Sequence, residues 1–245
     1  MQEIPTIIKG KLGKLRGIIH KSENSRKGVI VLLHGYFSST KLGPVNLYVQ
    51  IARVFANLGF EFWRFDSYGV GDSDGDFVQS SYSLRLEDYI TISNEALKSH
   101  DNLIYLGHSM GTNLAIHLTN GFSDHVSQVY LLSPSFGKIT WFDNLFSSEQ
   151  QDALRTVGMA ERKGLIITNE FIEQITTESI YAEIRKVRAK LIIFYGLSNE
   201  FYSKSSVEKA IEYMNDYELY EIEKSDHNFL YNRNILIEKI EKAIG

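Results

Sequence analysis

The stretch Asn102-Leu103-Ile104-Tyr105-Leu106-Gly107-His108-Ser109-Met110-Gly111 decides how this chain is read. Residues 102–106 have the continuous apolar character of a short buried strand, and Thr112 to Thr119 carry apolar residues at helical spacing. A strand, then G-x-S-x-G, then a helix is the context a nucleophile elbow requires. The two glycines permit a turn tight enough to strain the serine backbone. Such a turn lifts the Ser109 hydroxyl clear of the sheet. It also sets the hydroxyl at a helix N-terminus, where free N–H groups and the helix dipole favour negative charge.

Working outward, Val29 to Leu33 is a β-branched apolar run, as expected of a central strand buried on both faces. It leads into His34-Gly35-Tyr36. Val45 to Leu58 has helical periodicity and stops at Gly59, and Phe60 to Phe65 is the next strand. Leu84 to Leu97 reads as helix and Val126 to Leu132 as strand. Leu191 to Tyr195 resumes the sheet, Val207 to Met214 is a helix, Glu218 to Ile222 the last strand, and Ile235 to Ile244 a closing helix. Ile4 to Lys11 and Lys14 to His20 alternate apolar and polar residues and predict an antiparallel hairpin at a sheet edge. Strands alternating with helices imply an α/β fold with a mostly parallel sheet, right-handed crossovers and helices on both faces. The alternation pauses over 135–188, which is too long for a plain connection. It holds Trp141, Phe142, Phe146, Phe171 and Tyr181, and reads as a cap over the active-site face of a single domain spanning 1–245. The competing reading is a peripheral helical elaboration.

Composition narrows the function classes. Of 245 residues, 43% are hydrophobic and 23% charged, as in an ordinary globular protein. A net charge of -4 with dispersed basic residues gives no reason to expect nucleic-acid binding. The absence of cysteine removes disulfides, cysteine nucleophiles and thiolate metal sites. Gly69-Val70-Gly71 follows a strand, but the next glycine falls one residue late for a dinucleotide loop. The acidic residues from Asp72 to Asp76 lack calcium-loop spacing and read as turns, and no zinc-ligand cluster is visible. Neither a metal nor a cofactor is expected. The N-terminus lacks the regions of a signal peptide and no apolar run is long enough to span a bilayer, so a cytoplasmic location without membrane insertion is the default expectation. A homodimer is left open.

A serine hydroxyl needs a base, and the base needs a group that fixes its tautomer. His227, in Ser225-Asp226-His227-Asn228-Phe229 directly after the last strand, lies in a loop at the carboxyl ends of the strands, where ligands bind in open α/β sheets. It is the best of the seven histidines. His20 falls on an edge strand, His100 and His125 in loops, His117 well along a helix, and His108 in the turn beside Ser109. His34 is expected to shape its own loop through hydrogen bonds. An oxyanion needs two N–H donors. The backbone of Met110 supplies one, and Tyr36 is the best candidate for the other, unless it is merely a packed aromatic.

In this order, His34-Gly35-Tyr36, the run from Asp66 through Gly75, Gly107-His108-Ser109-Met110-Gly111 and Asp226-His227 resemble the motifs of α/β-hydrolases. The chain looks most like the bacterial cinnamoyl/feruloyl esterase-like branch, and 164–175 is similar to that branch's cap. The resemblance implies hydrolysis of a small or aryl carboxylic ester through an acyl-enzyme, without a cofactor. Its acid falls in Gly-x-x-Asp, but here the segment is Gly196-Leu197-Ser198-Asn199-Glu200. Glu200 is the preferred acid. Asn199 is the alternative, orienting the imidazole through its amide oxygen, and Asp143 is a distant third. Two further activities stay open: a thioesterase or acyltransferase using the same acyl-enzyme, and a hydrolase-like binding protein disabled by the altered acid loop. The expected partner is a small acyl ester or thioester.

Overall fold

A computed structural model describes residues 1–22, 27–40, 43–136, 146–175 and 180–244. Eight strands form one sheet in the order β1-β2-β4-β3-β5-β6-β9-β10. The strands are β1 (Gln2–Lys9), β2 (Lys14–Lys21), β3 (Val29–Leu33), β4 (Glu61–Phe65), β5 (Leu103–His108), β6 (Val126–Leu132), β9 (Lys190–Gly196) and β10 (Tyr217–Ile222). β1 pairs antiparallel with β2, and β2 with β4; every other neighbouring pair in the sheet is parallel. The short strands β7 (Met159–Arg162) and β8 (Leu165–Thr168) form a separate hairpin.

The apolar runs become central strands because the sheet is covered on both faces. All residues of β3, β4 and β5 are buried. Alternate side chains of β3 go to opposite cores. Ile30 and Leu32 share one core with helix α1 (Leu47–Asn57) and helix α8 (Arg233–Ile244). Val29, Val31 and Leu33 share the other core with helices α2 (Tyr82–Ala96) and α3 (Met110–Gly121).

The segment between β6 and β9 contains α4 (Ser148–Thr156), the β7–β8 hairpin, α5 (Asn169–Ile175) and α6 (Ile180–Ile184). Its residues Phe146, Leu154, Ile167, Phe171 and Ile184 belong to the same core as α2 and α3. Arg162 and Lys163, at the tip of the hairpin, reach the cavity beside Ser109. Trp141, Phe142 and Asp143 lie outside the described residues.

Most expected elements fall where the periodicity puts them, with instructive shifts. The helix expected over 45–58 begins at Leu47, after a single 3-10 turn over Pro44–Asn46. The helix expected over 207–214 runs instead over Lys204–Ile211 as α7. Tyr213 and Met214 pack against the core from the turn that follows it. His20 is not on the edge: β1 takes that place, and His20 is fully buried in β2, where Arg64 Nε donates to its ring at 2.6 Å.

Phe55 of α1 is 0% exposed, with Phe60, Phe62 and Tyr130 at ring distances of 5.8, 5.7 and 5.3 Å. Truncation leaves a cavity that these stiff rings fill poorly. Phe55→Ala is expected to destabilise the protein by about 4 kcal/mol, read as a lower midpoint in urea unfolding with an unchanged slope.

Candidate active site

Ser109 joins β5 to α3 with φ 55° and ψ -125°, a region that L-residues other than glycine rarely enter. The flanking glycines are required by close approach. A Cβ on Gly107 would come within 2.5 Å of the Gly111 carbonyl oxygen, and one on Gly111 would strike the Leu33 carbonyl. The bend is tied on both sides. Ser109 N–H donates to Leu132 O at 3.0 Å, and Ser109 O accepts from Thr112 Oγ1 at 2.6 Å and Ser135 Oγ at 3.0 Å. The backbone N–H of Met110, first in α3, has no acceptor within its own helix.

The loop after β10 brings His227 to this serine. Its Nε2 lies 2.9 Å from Ser109 Oγ. The loop is held by Ser198 N–H on Ser225 O at 2.9 Å, by Ser225 Oγ on Tyr231 O at 2.9 Å, and by Leu230 N–H on the Asp226 carboxylate at 2.6 Å. Gly196 ends β9 where a side chain would collide with the Ser225 and Asp226 carbonyls.

On its far side, the His227 ring meets Asn199. Nδ1 is 3.2 Å from Asn199 Oδ1. Phe201 N–H and Tyr202 N–H donate to the same Oδ1 at 3.0 and 3.2 Å, which fixes the oxygen, not the nitrogen, toward the ring. Nδ1 therefore carries the proton and Nε2 is free to accept from Ser109. Glu200, the preferred acid on sequence grounds, is not at the ring. Its carboxylate accepts from the His227 backbone N–H at 3.1 Å. The turn after β9 directs residue 199 inward and leaves residue 200 to reach the main chain. Asp143 lies outside the described residues.

His34 shapes its loop as expected: Nδ1–H donates to Gly35 O at 2.8 Å, and Nε2 accepts from Ser67 Oγ at 3.2 Å. Gly35 abuts the serine, since a Cβ there would lie 3.3 Å from Ser109 Cβ. Tyr36 is buried and lines the cavity, its ring 4.5 Å from that of Phe171. The glycine-rich loop is indeed built of turns. Asp66 accepts from Thr40 and from the Asp72 N–H, tying two loops together.

Tyr48 and Arg85 escaped the sequence reading. Gly35 N–H donates to Tyr48 Oη at 3.3 Å, Tyr48 O–H donates to His108 Nδ1 at 2.8 Å, and His108 Nε2–H donates to His227 O at 3.2 Å. Tyr48 and His108 thus connect the loops after β3, β5 and β10. The second omission is Arg85, whose spacing with Tyr82, Tyr89 and Ile92 placed a cation on an apolar helix stripe.

A cavity of about 560 Å³ opens over Ser109, walled by Phe37, Pro44, Phe201 and Tyr202. Its charged lining groups are Arg162 and Lys163. Among the described residues, no cluster of metal-ligating side chains occurs, and no helix is long and apolar enough to cross a membrane.

A strained serine at a strand-to-helix bend, meeting a histidine from the loop after the last strand, is the arrangement of one superfamily, and the comparisons agree. A family model described as serine aminopeptidase, S33, matches residues 24–171. The chain belongs to this family of α/β-hydrolases. The fold of this α/β-hydrolase resembles that of Est1E from Butyrivibrio proteoclasticus, solved with ferulic acid bound. The TM-score is 0.83 at 16% identity, covering 98% of this chain and 97% of that one. Among curated proteins it is 24% identical over 199 residues to “Putative esterase/lipase 2” of Mycoplasma genitalium, 76% of this chain. It is 26% identical over 112 residues to “Probable lysophospholipase BODYGUARD 5” of Arabidopsis thaliana, 44% of this chain. It spans 66% of the length of the first and 24% of the second.

The buried rings make this fold acid-sensitive. Burial, with the nearby Arg85 charge, lowers His34 from 6.5 to about 3, and burial lowers His108 from 6.5 to about 4. Below pH 6.5 the unfolded chain takes up protons that the folded chain refuses, so stability falls as pH falls. Each ring is expected to remove on the order of 1 kcal/mol per pH unit between roughly pH 6 and 4. Urea midpoints measured from pH 7 to pH 4.5 should drop steeply below 6, and less so in a Tyr48→Phe, His108→Gln double variant.

Proposed function

We propose that the protein is a serine esterase that cleaves a carboxylic ester of a small or aryl acid through an acyl-enzyme. The observation that carries the reading is the 2.9 Å contact between His227 Nε2 and Ser109 Oγ, with the opposite ring nitrogen held by an oriented amide oxygen. In the proposed reaction, Ser109 Oγ attacks the ester carbonyl carbon as its proton passes to Nε2. The oxyanion accepts from the backbone N–H groups of Met110 and Tyr36. Collapse breaks the acyl–oxygen bond, and His227 returns the proton to the departing alcohol. Water, deprotonated by the same ring, then attacks the acyl carbon and releases the acid and Ser109.

Asn199 acts here by orientation. It holds the productive tautomer but gives the transient imidazolium no counter-charge. Burial and the neighbouring His108 keep His227 well below its ordinary value, so the ring is neutral and basic-form at physiological pH. The cavity itself supports an ester over a peptide with a free N-terminus. Its charged lining groups are cations, and an ammonium group would find no carboxylate among the described lining residues. The aromatic wall of Phe37, Phe201 and Tyr202 suits a flat or alkyl acyl group. The like-folded Est1E, holding ferulic acid, is an instance of an aryl acid in this architecture.

A fluorophosphonate should label the purified protein at Ser109, and Ser109→Ala should abolish both labelling and p-nitrophenyl ester hydrolysis. An unlabelled, folded wild type would overturn the reading. Among the partners of His227, Asn199→Ala should lower kcat by about 100-fold or more through loss of the tautomer, while Asn199→Asp raises it several-fold by adding a counter-charge. Glu200→Gln, which keeps an oxygen for the His227 main chain, should change kcat by less than about 10-fold. A larger loss in Glu200→Gln than in Asn199→Ala would return the acid role to Glu200.

A further inference from the structure

Arg85 of α2 is 0% exposed. Among the described residues its polar partners are all neutral oxygens. Nε donates to Ser80 Oγ at 2.9 Å, and Nη1 to Tyr36 O at 3.2 Å and Gly35 O at 3.5 Å. Nη2 has no partner among the described residues. The rings of Tyr36, Phe77 and Phe171 surround the guanidinium at 5.9, 5.6 and 5.0 Å. Among the described residues no carboxylate bonds it directly, the Asp88 and Asp66 charges acting on it only from a distance. A charge buried in this way is costly, and a methionine or leucine would fill the same space without that cost. The charge therefore calls for an electrostatic task.

The peptide it touches supplies one. Gly35 C=O and Tyr36 N–H are opposite ends of a single trans peptide, so fixing the oxygen fixes the direction of the N–H. That oxygen is held twice, by His34 Nδ1–H at 2.8 Å and by Arg85. A cation at the carbonyl end also polarises the peptide and makes its N–H a stronger donor. The neighbouring carbonyl, Tyr36 O, is gripped by the same guanidinium, so the loop is clamped on both sides of the Tyr36 α-carbon. This loop lines the cavity beside Ser109.

We infer that Arg85 is a positioning residue for ester cleavage: its buried charge aligns and polarises the Gly35–Tyr36 peptide, so that the Tyr36 N–H is preset to receive the oxyanion. The inference rests on the proposed hydrolase reading, in which that N–H is an oxyanion donor. Arg85 touches no reacting atom. Its effect is on the transition state, where charge develops, and hardly on ground-state binding of a neutral ester.

The test compares full-length wild type, Arg85→Met and Arg85→Lys in p-nitrophenyl butyrate hydrolysis and in the rate of fluorophosphonate labelling of Ser109. Each is assayed where circular dichroism shows it fully folded. Losing a whole oxyanion donor costs about 100- to 1,000-fold, so losing its alignment should cost Arg85→Met roughly 10- to 100-fold in kcat and in labelling rate. KM should stay within about 3-fold, and Arg85→Lys, which keeps the charge, should recover part of the loss. A folded Arg85→Met with wild-type kcat overturns the inference. So does a change confined to KM, or an Arg85→Lys no better than Arg85→Met. If Arg85→Met does not fold, Ser80→Ala, which releases Nε, reads the same effect: a fall in kcat of about 3-fold or more with KM kept supports it, and an unchanged kcat overturns it. An inert, unlabelled wild type overturns the hydrolase reading itself, whereas an active wild type beside an indifferent Arg85 variant overturns this inference alone.

Discussion

Ser109 sits at φ 55° and ψ -125°, and the rest of the site depends on the fold holding it there. Such a backbone conformation costs on the order of 1–3 kcal/mol for a residue with a Cβ. It persists because its surroundings over-determine it. β5 is paired on both edges, with β3 and with β6, so the strand cannot relax sideways. α3 is pressed so close to β3 that Gly111 meets the Leu33 carbonyl with no room for a side chain. Ser109 N–H is taken by the end of β6, and its carbonyl is held by Thr112 and Ser135. On a backbone held in this way, the hydroxyl stands at the cavity, 2.9 Å from His227 Nε2.

A raised hydroxyl is of use only if loops from distant parts of the chain arrive beside it in register. Parallel sheets set the strands, but each loop comes from a separate crossover, and loops are the softer part of any sheet protein. Here hydrogen bonds through two buried side chains take over that task. The Gly35 N–H, Tyr48 hydroxyl, His108 ring and His227 carbonyl form a directed chain with one consistent tautomer. Because His108 must accept at Nδ1 and donate at Nε2, its neutrality is a structural requirement, and burial enforces it. The same burial that aligns the loops thus couples the integrity of the site to pH.

Much of this was legible in the sequence, for identifiable reasons. Strands buried on both faces appear as unbroken apolar runs, and Val29 to Leu33 could be placed to the residue. The meeting of Ser109 and His227 was legible because motif and chain order constrain the two positions jointly. What periodicity reports, however, is burial and not hydrogen bonding. Tyr213 and Met214 kept the apolar rhythm of α7 after its ladder had ended, and displaced the expected helix by three residues. The choice between Asn199 and Glu200 turned on which side chain the loop aims inward, and two backbone N–H groups decide that. Charge alone favoured Glu200, whose carboxylate meets the His227 main chain and not the ring. Tyr48 and Arg85 sat on apolar helix faces, where a polar tip reads as an irregularity until its partners are known.

The amide at position 199 is the departure with the widest chemical consequence. Its Nδ2 is buried without a partner among the described residues, an arrangement that costs about 1–3 kcal/mol. A carboxylate would accept from the same three donors, leave no donor orphaned and supply charge. The site bears that cost and keeps the acceptor neutral. On the proposed reaction, a neutral acceptor and deep burial make His227 a weak base, and its imidazolium a correspondingly strong acid. A weak base draws the proton from serine less readily, and a strong acid hands it to the leaving group more readily. The same ring must take a proton from serine and later from water, so on that reaction both attacks meet a weak base. Each attack develops an oxyanion, so alignment of the oxyanion donors counts in both. A clamped, polarised Gly35–Tyr36 peptide and an uncharged partner for His227 are therefore complementary features: what the base lacks in driving force, the oxyanion loop must provide.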